Sequence, residues 1–163
     1  MKLSVIIPMY NESKVIGNTL ETLYKTLERD FGSGEYEVVV VSDGSTDTSE
    51  AIVSDFVTSH PGFRLVAYKP NRGKGYAVRT GMLEAKGDFA VFTDSDLAYG
   101  ADVLADVYNL HTEKNADVVI GSRALKGGGY DGYTFLRKLM SKTYLKVISI
   151  AAGFSHSDSQ AGL

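Results

Sequence analysis

Two carboxylates two residues apart, Asp94 and Asp96, follow a short apolar run at 89–93 of a 163-residue chain. At the carboxyl edge of a buried strand such a pair is costly unless a cation sits beside it. A hard divalent ion bridging a diphosphate suits it, because Mg2+ and Mn2+ take oxygen ligands and combine one or two carboxylates with phosphate oxygens. A solvated acidic turn is the plainer alternative. Four more loops carry complementary groups. Pro8-Met9-Tyr10-Asn11-Glu12-Ser13 offers a ring to stack on a base and polar groups to hydrogen-bond it, or else a proline turn with Ser13 as a helix cap. In Ser42-Asp43-Gly44-Ser45-Thr46-Asp47, Asp43 can accept a hydrogen from a base or ribose, or simply close a turn before a cap at Thr46 or Asp47. Asn71-Arg72-Gly73-Lys74-Gly75 places Lys74 at a helix start, where a phosphate or sugar hydroxyl would be welcome, although a glycine turn with solvated cations reads equally well. It is not a Walker A loop, and Val78 stands where the third glycine of Gly-x-Gly-x-x-Gly would be. Arg123, after Gly121-Ser122, can grip a phosphate through two parallel hydrogen bonds or lie on the surface.

These loops need elements to hold them. Residues 3–7, 37–41, 64–68, 89–93 and 117–120 are short, rich in Val, Ile and Phe, and lack clean polar alternation. Strands buried on both faces of a parallel sheet have that character. Helical spacing of apolar residues fills 13–30, 48–59, 74–86 and 101–113. Strand and helix alternating in this way predict right-handed βαβ units and an open, doubly wound α/β sheet with helices on both faces. Ligands of such sheets bind beyond the carboxyl ends of the strands, where all five loops fall.

Composition narrows the function. The chain has no cysteine, which excludes disulfides, cysteine-ligated zinc and thiol catalysis. A net charge of -3 argues against nucleic acid as a partner. The apolar stretch at 3–7 ends at Pro8 and does not read as a signal peptide, and no run of 18 apolar residues would cross a membrane.

Taken in order, Val5-Ile6-Ile7-Pro8-Met9-Tyr10-Asn11-Glu12, Val41-Ser42-Asp43-Gly44-Ser45-Thr46-Asp47, Asn71-Arg72-Gly73-Lys74-Gly75 and Asp94-Ser95-Asp96 resemble the family-two inverting glycosyltransferases of the GT-A (Rossmann-like) fold. Gly121-Ser122-Arg123 and Asp158-Ser159-Gln160-Ala161-Gly162 narrow the resemblance to the dolichyl- or polyprenyl-phosphate glucosyl- and mannosyltransferases. The resemblance covers nearly the whole chain and implies one catalytic domain, 1–163. It implies that Pro8, Tyr10, Asn11, Glu12 and Asp43 bound the nucleoside, with Lys74 and Ser95 near the nucleotide-sugar. It implies that Asp94, Asp96 and Gln160 hold Mn2+ or Mg2+, and that Arg123 meets a phosphate of donor or acceptor. Ser95 replaces an alanine common in the lipid-phosphate enzymes, a small-for-small exchange. The family pattern continues beyond Gly162, so the chain reads as cut short on its acceptor side.

The implied donor is a nucleotide-hexose, UDP-glucose ahead of GDP-mannose, and the implied acceptor a polyprenyl phosphate at the cytoplasmic face of a membrane. The basic and apolar residues of 135–154 could lie on that surface or form a last core helix. The glycine-rich stretch 122–134 is expected to be mobile without ligand. Two other readings remain: a nucleotide-sugar-binding module without transfer activity, and a transferase to a saccharide or protein, for which Asp158 is the one late carboxylate available as base. His60, His111 and His156 are expected to be structural or solvated.

Overall fold

The computed structural model describes residues 1–121. Four strands, β1 (Leu3–Met9), β2 (Tyr36–Asp43), β3 (Phe63–Tyr68) and β4 (Phe89–Phe92), alternate with four helices, α1 (Ile16–Asp30), α2 (Ser49–Val57), α3 (Lys74–Glu84) and α4 (Val103–Lys114). The strands form one parallel sheet in the order β3-β2-β1-β4.

Every residue of β1 and β2 is buried, which is why apolar residues occupy both faces through Val5–Ile7 and Val38–Val41. Alternation sorts the side chains between two layers. Leu3, Val5, Ile7 and Met9 of β1, with Val38 and Val40 of β2, pack with Ile16, Leu20, Leu23 and Leu27 of α1, Val53 of α2, and Leu104 and Val107 of α4. Ile6, Val39 and Val41 face the other way, onto Ala77 of α3. The sheet is therefore covered on both faces, as the alternation predicts. Gly81 lets α3 lie close, since a Cβ there would stand 2.3 Å from Ile6 Cγ2.

At the amino end of the sheet, Glu37 bridges three strands and the end of α3. Its carboxylate accepts hydrogen bonds from Ser4 Oγ at 2.7 Å, Lys86 N at 2.6 Å and Arg64 Nε at 3.0 Å. Burial alone would push the Glu37 carboxyl up, but these donors hold it below its ordinary value.

Sequence and structure part at three places. Residues 117–120 form no strand: Asn115 ends α4 in the left-handed conformation, Val118 is 71% exposed, and Val119 alone of the three apolar residues packs on the main core. Ser13 does not cap α1, which starts at Ile16 after a turn in which the Glu12 carbonyl accepts the Val15 and Ile16 amides, both at 3.0 Å. Helix α2 is flanked by Thr48 rather than capped from Thr46, while the Asp47 carboxylate reaches forward to accept the Ser49 amide at 3.0 Å.

Candidate active site

Strands β2 and β3 lie to one side of β1 and β4 to the other, so the winding reverses between β1 and β4. The crevice beyond the carboxyl ends at such a switch point is where open α/β sheets bind ligands. A cavity of about 490 Å³ opens there, within the usual range of small-molecule sites. Pro8, Met9, Tyr10 and Glu12 line it from the end of β1, Asp43 from β2, Asn71, Gly73 and Lys74 from the β3–α3 turn, and Asp94, Ser95 and Asp96 from beyond β4. Of the candidates within the described residues, only Asn11 stays outside the lining.

Asp43, 3% exposed, accepts the Arg72 amide at 2.7 Å on Oδ1 and the Gly73 amide at 2.8 Å on Oδ2. It thus shapes the turn that starts α3. Gly44 permits the turn to pass: its φ is +74°, and a Cβ would lie 2.7 Å from the Asn71 nitrogen. Tyr68 pairs with Asp43 across the β2–β3 ladder. Burial, and then a hydrogen bond to the Asp43 carboxylate, push the Tyr68 hydroxyl pKa up. Tyr76 meets the Tyr68 ring edge-on at 5.2 Å and carries the Arg72 guanidinium 4.7 Å above its own ring.

At the other end of the cavity, Lys74 Nζ contacts Asp94 Oδ1 in an ion pair. Asp96 Oδ1 accepts the Ala98 amide at 3.1 Å. Ser95 between them is buried, and its carbonyl accepts a hydrogen bond from Thr19 Oγ1 at 2.5 Å, which ties the acidic turn to α1. Among the described residues no group of three or more His, Cys, Asp or Glu side chains converges on one point. Two carboxylates in an open cavity nonetheless fit a small divalent ion that takes its remaining ligands from phosphates and water.

Asn11 serves the site from outside. It sits at φ +55°, donates its amide to Ser45 Oγ at 3.1 Å, and accepts the Thr46 amide on Oδ1 at 2.8 Å. Ser13 N donates to Asp47 Oδ2 at 3.1 Å and Glu12 N to Ser49 Oγ at 2.8 Å. Hydrogen bonds from Ser49 above all, and from Ser13, hold the Asp47 carboxyl well below its usual range. These bonds fasten the loop after β1 to the loop after β2, leaving Tyr10 47% exposed at the mouth. Val15 and Ala77 also line the cavity; in sequence they look like ordinary apolar positions of helices, and no signal distinguishes them. His60 stacks on Phe56 at 3.8 Å and His111 on Phe89 at 4.4 Å, both away from the cavity. Arg123, Asp158, Gln160 and His156, the stretch 122–134 and the segment 135–154 lie outside the described residues.

Comparison with known proteins agrees with this geometry. The sequence model of glycosyl transferase family 2 matches residues 4–159. A dolichyl-phosphate β-glucosyltransferase of Trichomonas vaginalis is 34% identical over 96% of this chain and 49% of its own length. A Pyrobaculum calidifontis mannosyltransferase, solved with GDP-Man and Mn2+, superposes with a TM-score of 0.61 at 34% identity, covering 68% of this chain and 32% of that one. Residues 1–349 of Staphylococcus aureus TarS, solved with UDP, superpose with a TM-score of 0.65 at 33% identity, covering 83% and 39%. The chain spans about half the length of the curated relatives it matches.

Proposed function

The chain belongs to glycosyl transferase family 2, and from that we propose that it carries the donor site of an inverting, metal-dependent hexosyltransferase acting on a polyprenyl phosphate. The observation that carries the proposal is the switch-point cavity, with Asp94, Asp96 and Lys74 at one end and Tyr10 and Asp43 bounding the rest. A nucleoside fits between Tyr10 and Asp43, the ring stacking and the carboxylate accepting a base or ribose hydrogen. UDP-glucose is the favoured donor and GDP-mannose the next. The diphosphate then falls at the amino end of α3, whose first amides have no intrahelical acceptor and whose dipole favours an anion.

Asp94 and Asp96 would hold Mn2+ or Mg2+, which supplies positive charge where the leaving diphosphate gains negative charge. Lys74 adds a second cation from the protein. Asp43 and the bonds around Asn11 hold the loops in place, so the donor is oriented before reaction. A lipid phosphate is already an anion at neutral pH and needs orientation more than a strong base. Arg123 and Gln160 complete the proposed set, on a phosphate of donor or acceptor and on the metal respectively, and Asp158 would serve as base only for a saccharide or protein acceptor. Membrane association at the cytoplasmic face is part of the same proposal; among the described residues no helix is long and apolar enough to cross a bilayer.

The test is transfer of radiolabelled sugar from UDP-glucose or GDP-mannose into the organic phase containing polyprenyl phosphate. Label should enter that phase with Mn2+ or Mg2+ and not with EDTA, and Asp96→Ala should remove the metal dependence. Equal transfer with and without metal would overturn the assignment.

A further inference from the structure

We propose that Lys74 is a resident counter-ion for Asp94, released only when a nucleotide diphosphate arrives, so that divalent metal and nucleotide bind as one coupled event. This rests on the donor-site reading and adds to it a role for the lysine before any donor is present.

Lys74 Nζ sits on Asp94 Oδ1, and both side chains line the cavity. Neither is buried, the lysine being 55% and the aspartate 36% exposed, so the pair exchanges partners at small cost. It nevertheless occupies one of the two carboxylates a small divalent ion would use, and an ammonium in contact with that oxygen repels a dication. Metal arriving alone must displace the lysine, which gains no phosphate in exchange.

A diphosphate changes the balance. Lys74 is the first residue of α3, so its tether begins where an anion is drawn to the free amides of the helix start. The ammonium can pass from Asp94 to a phosphate oxygen without leaving the cavity. The preceding residue is fixed as well, because the Gly73 amide is held by Asp43 Oδ2 at 2.8 Å. The group at the nucleoside end and the lysine at the metal end are thus joined through a single turn. Metal gains Asp94 when the lysine gains a phosphate, and each ligand raises the affinity of the other by the same factor.

Titration calorimetry on the 163-residue chain tests this, with Mn2+ as probe in the absence and presence of saturating UDP, and with GDP in parallel. Lys74→Gln and Lys74→Met are compared with wild type, and circular dichroism confirms that each is folded; the exposed position tolerates both changes. Wild type should bind Mn2+ far more tightly with nucleotide than without. Both variants should bind Mn2+ alone about five- to tenfold more tightly than wild type, the scale of a partly exposed ion pair and its repulsion of a dication. The nucleotide should then improve their Mn2+ affinity by a smaller factor. Variants that bind Mn2+ alone no better than wild type, while wild type still binds Mn2+ with nucleotide, overturn the counter-ion role and leave the donor site standing. A wild type whose affinity for either nucleotide is the same in Mn2+ and in EDTA overturns the metal-dependent donor reading itself.

Discussion

Asp43 accepts a backbone amide on each of its carboxylate oxygens, Arg72 at 2.7 Å and Gly73 at 2.8 Å. A sequence shows that an acidic residue follows an apolar run; it does not show that the acid reaches a turn 29 residues further on. The pairing of Lys74 with Asp94 was hidden for the same reason, since only the sheet order brings the β3–α3 turn beside the loop after β4. Asn11 is the converse case: its place in the motif points to the ligand, while its carbonyl holds the loop before α2. Residue types thus mark candidate groups, and the long-range hydrogen bonds show which of them brace the loops. Asp43→Ala should leave two part-buried amides without acceptors and lower stability by about 1–3 kcal/mol, with a parallel loss of nucleotide affinity. Asp43→Asn, which keeps one acceptor, should fall between. Urea midpoints for the three proteins check this, and an Asp43→Ala midpoint equal to wild type would remove the bracing role.

Helices and strands were legible wherever burial imposes a pattern. The apolar runs inside β1 and β2 marked a sheet covered on both faces, and the spacing in 16–30 marked the face that α1 buries. Residues 117–120 failed because three apolar residues satisfy a strand pattern without proving a partner for the ladder. Where α3 meets the sheet, Gly81 sets the approach, so Gly81→Ala should cost about 1–3 kcal/mol through overpacking against Ile6 and Val41, despite the better helix propensity of alanine. A Gly81→Ala protein as stable as wild type would show that α3 can move out freely. At the amino end of the sheet, Glu37 has its pKa lowered in the folded chain by Ser4, Lys86 and Arg64. A lowered carboxyl contributes stability above its unfolded value, about 4.3, and that contribution disappears as pH falls through the folded value. Glu37→Gln should therefore be less stable at pH 7 and lose less than wild type on acidification below about pH 4. Parallel stability curves for the two proteins would contradict the linkage.

At the scale of the whole molecule, one topological fact organises the rest. Because β4 joins β1 on the side away from β2, five groups from four separate loops, Tyr10, Asp43, Lys74, Asp94 and Asp96, line one cavity. The alternation of elements predicted the class of sheet, and the loops after its strands line the cavity, but no local pattern reports which strand follows which across a sheet. That order places the two aspartates and the lysine together and makes the cavity a candidate for a metal-bound diphosphate. The most direct measurement is anomalous diffraction from crystals of the 163-residue chain grown with Mn2+ and UDP, collected at the manganese edge. An anomalous peak within coordination distance of Asp94 and Asp96, with the diphosphate beside it and the base against Tyr10, is the expected result. Manganese bound elsewhere, or a nucleotide ordered outside the switch-point crevice with no peak at the aspartates, would contradict the central claim.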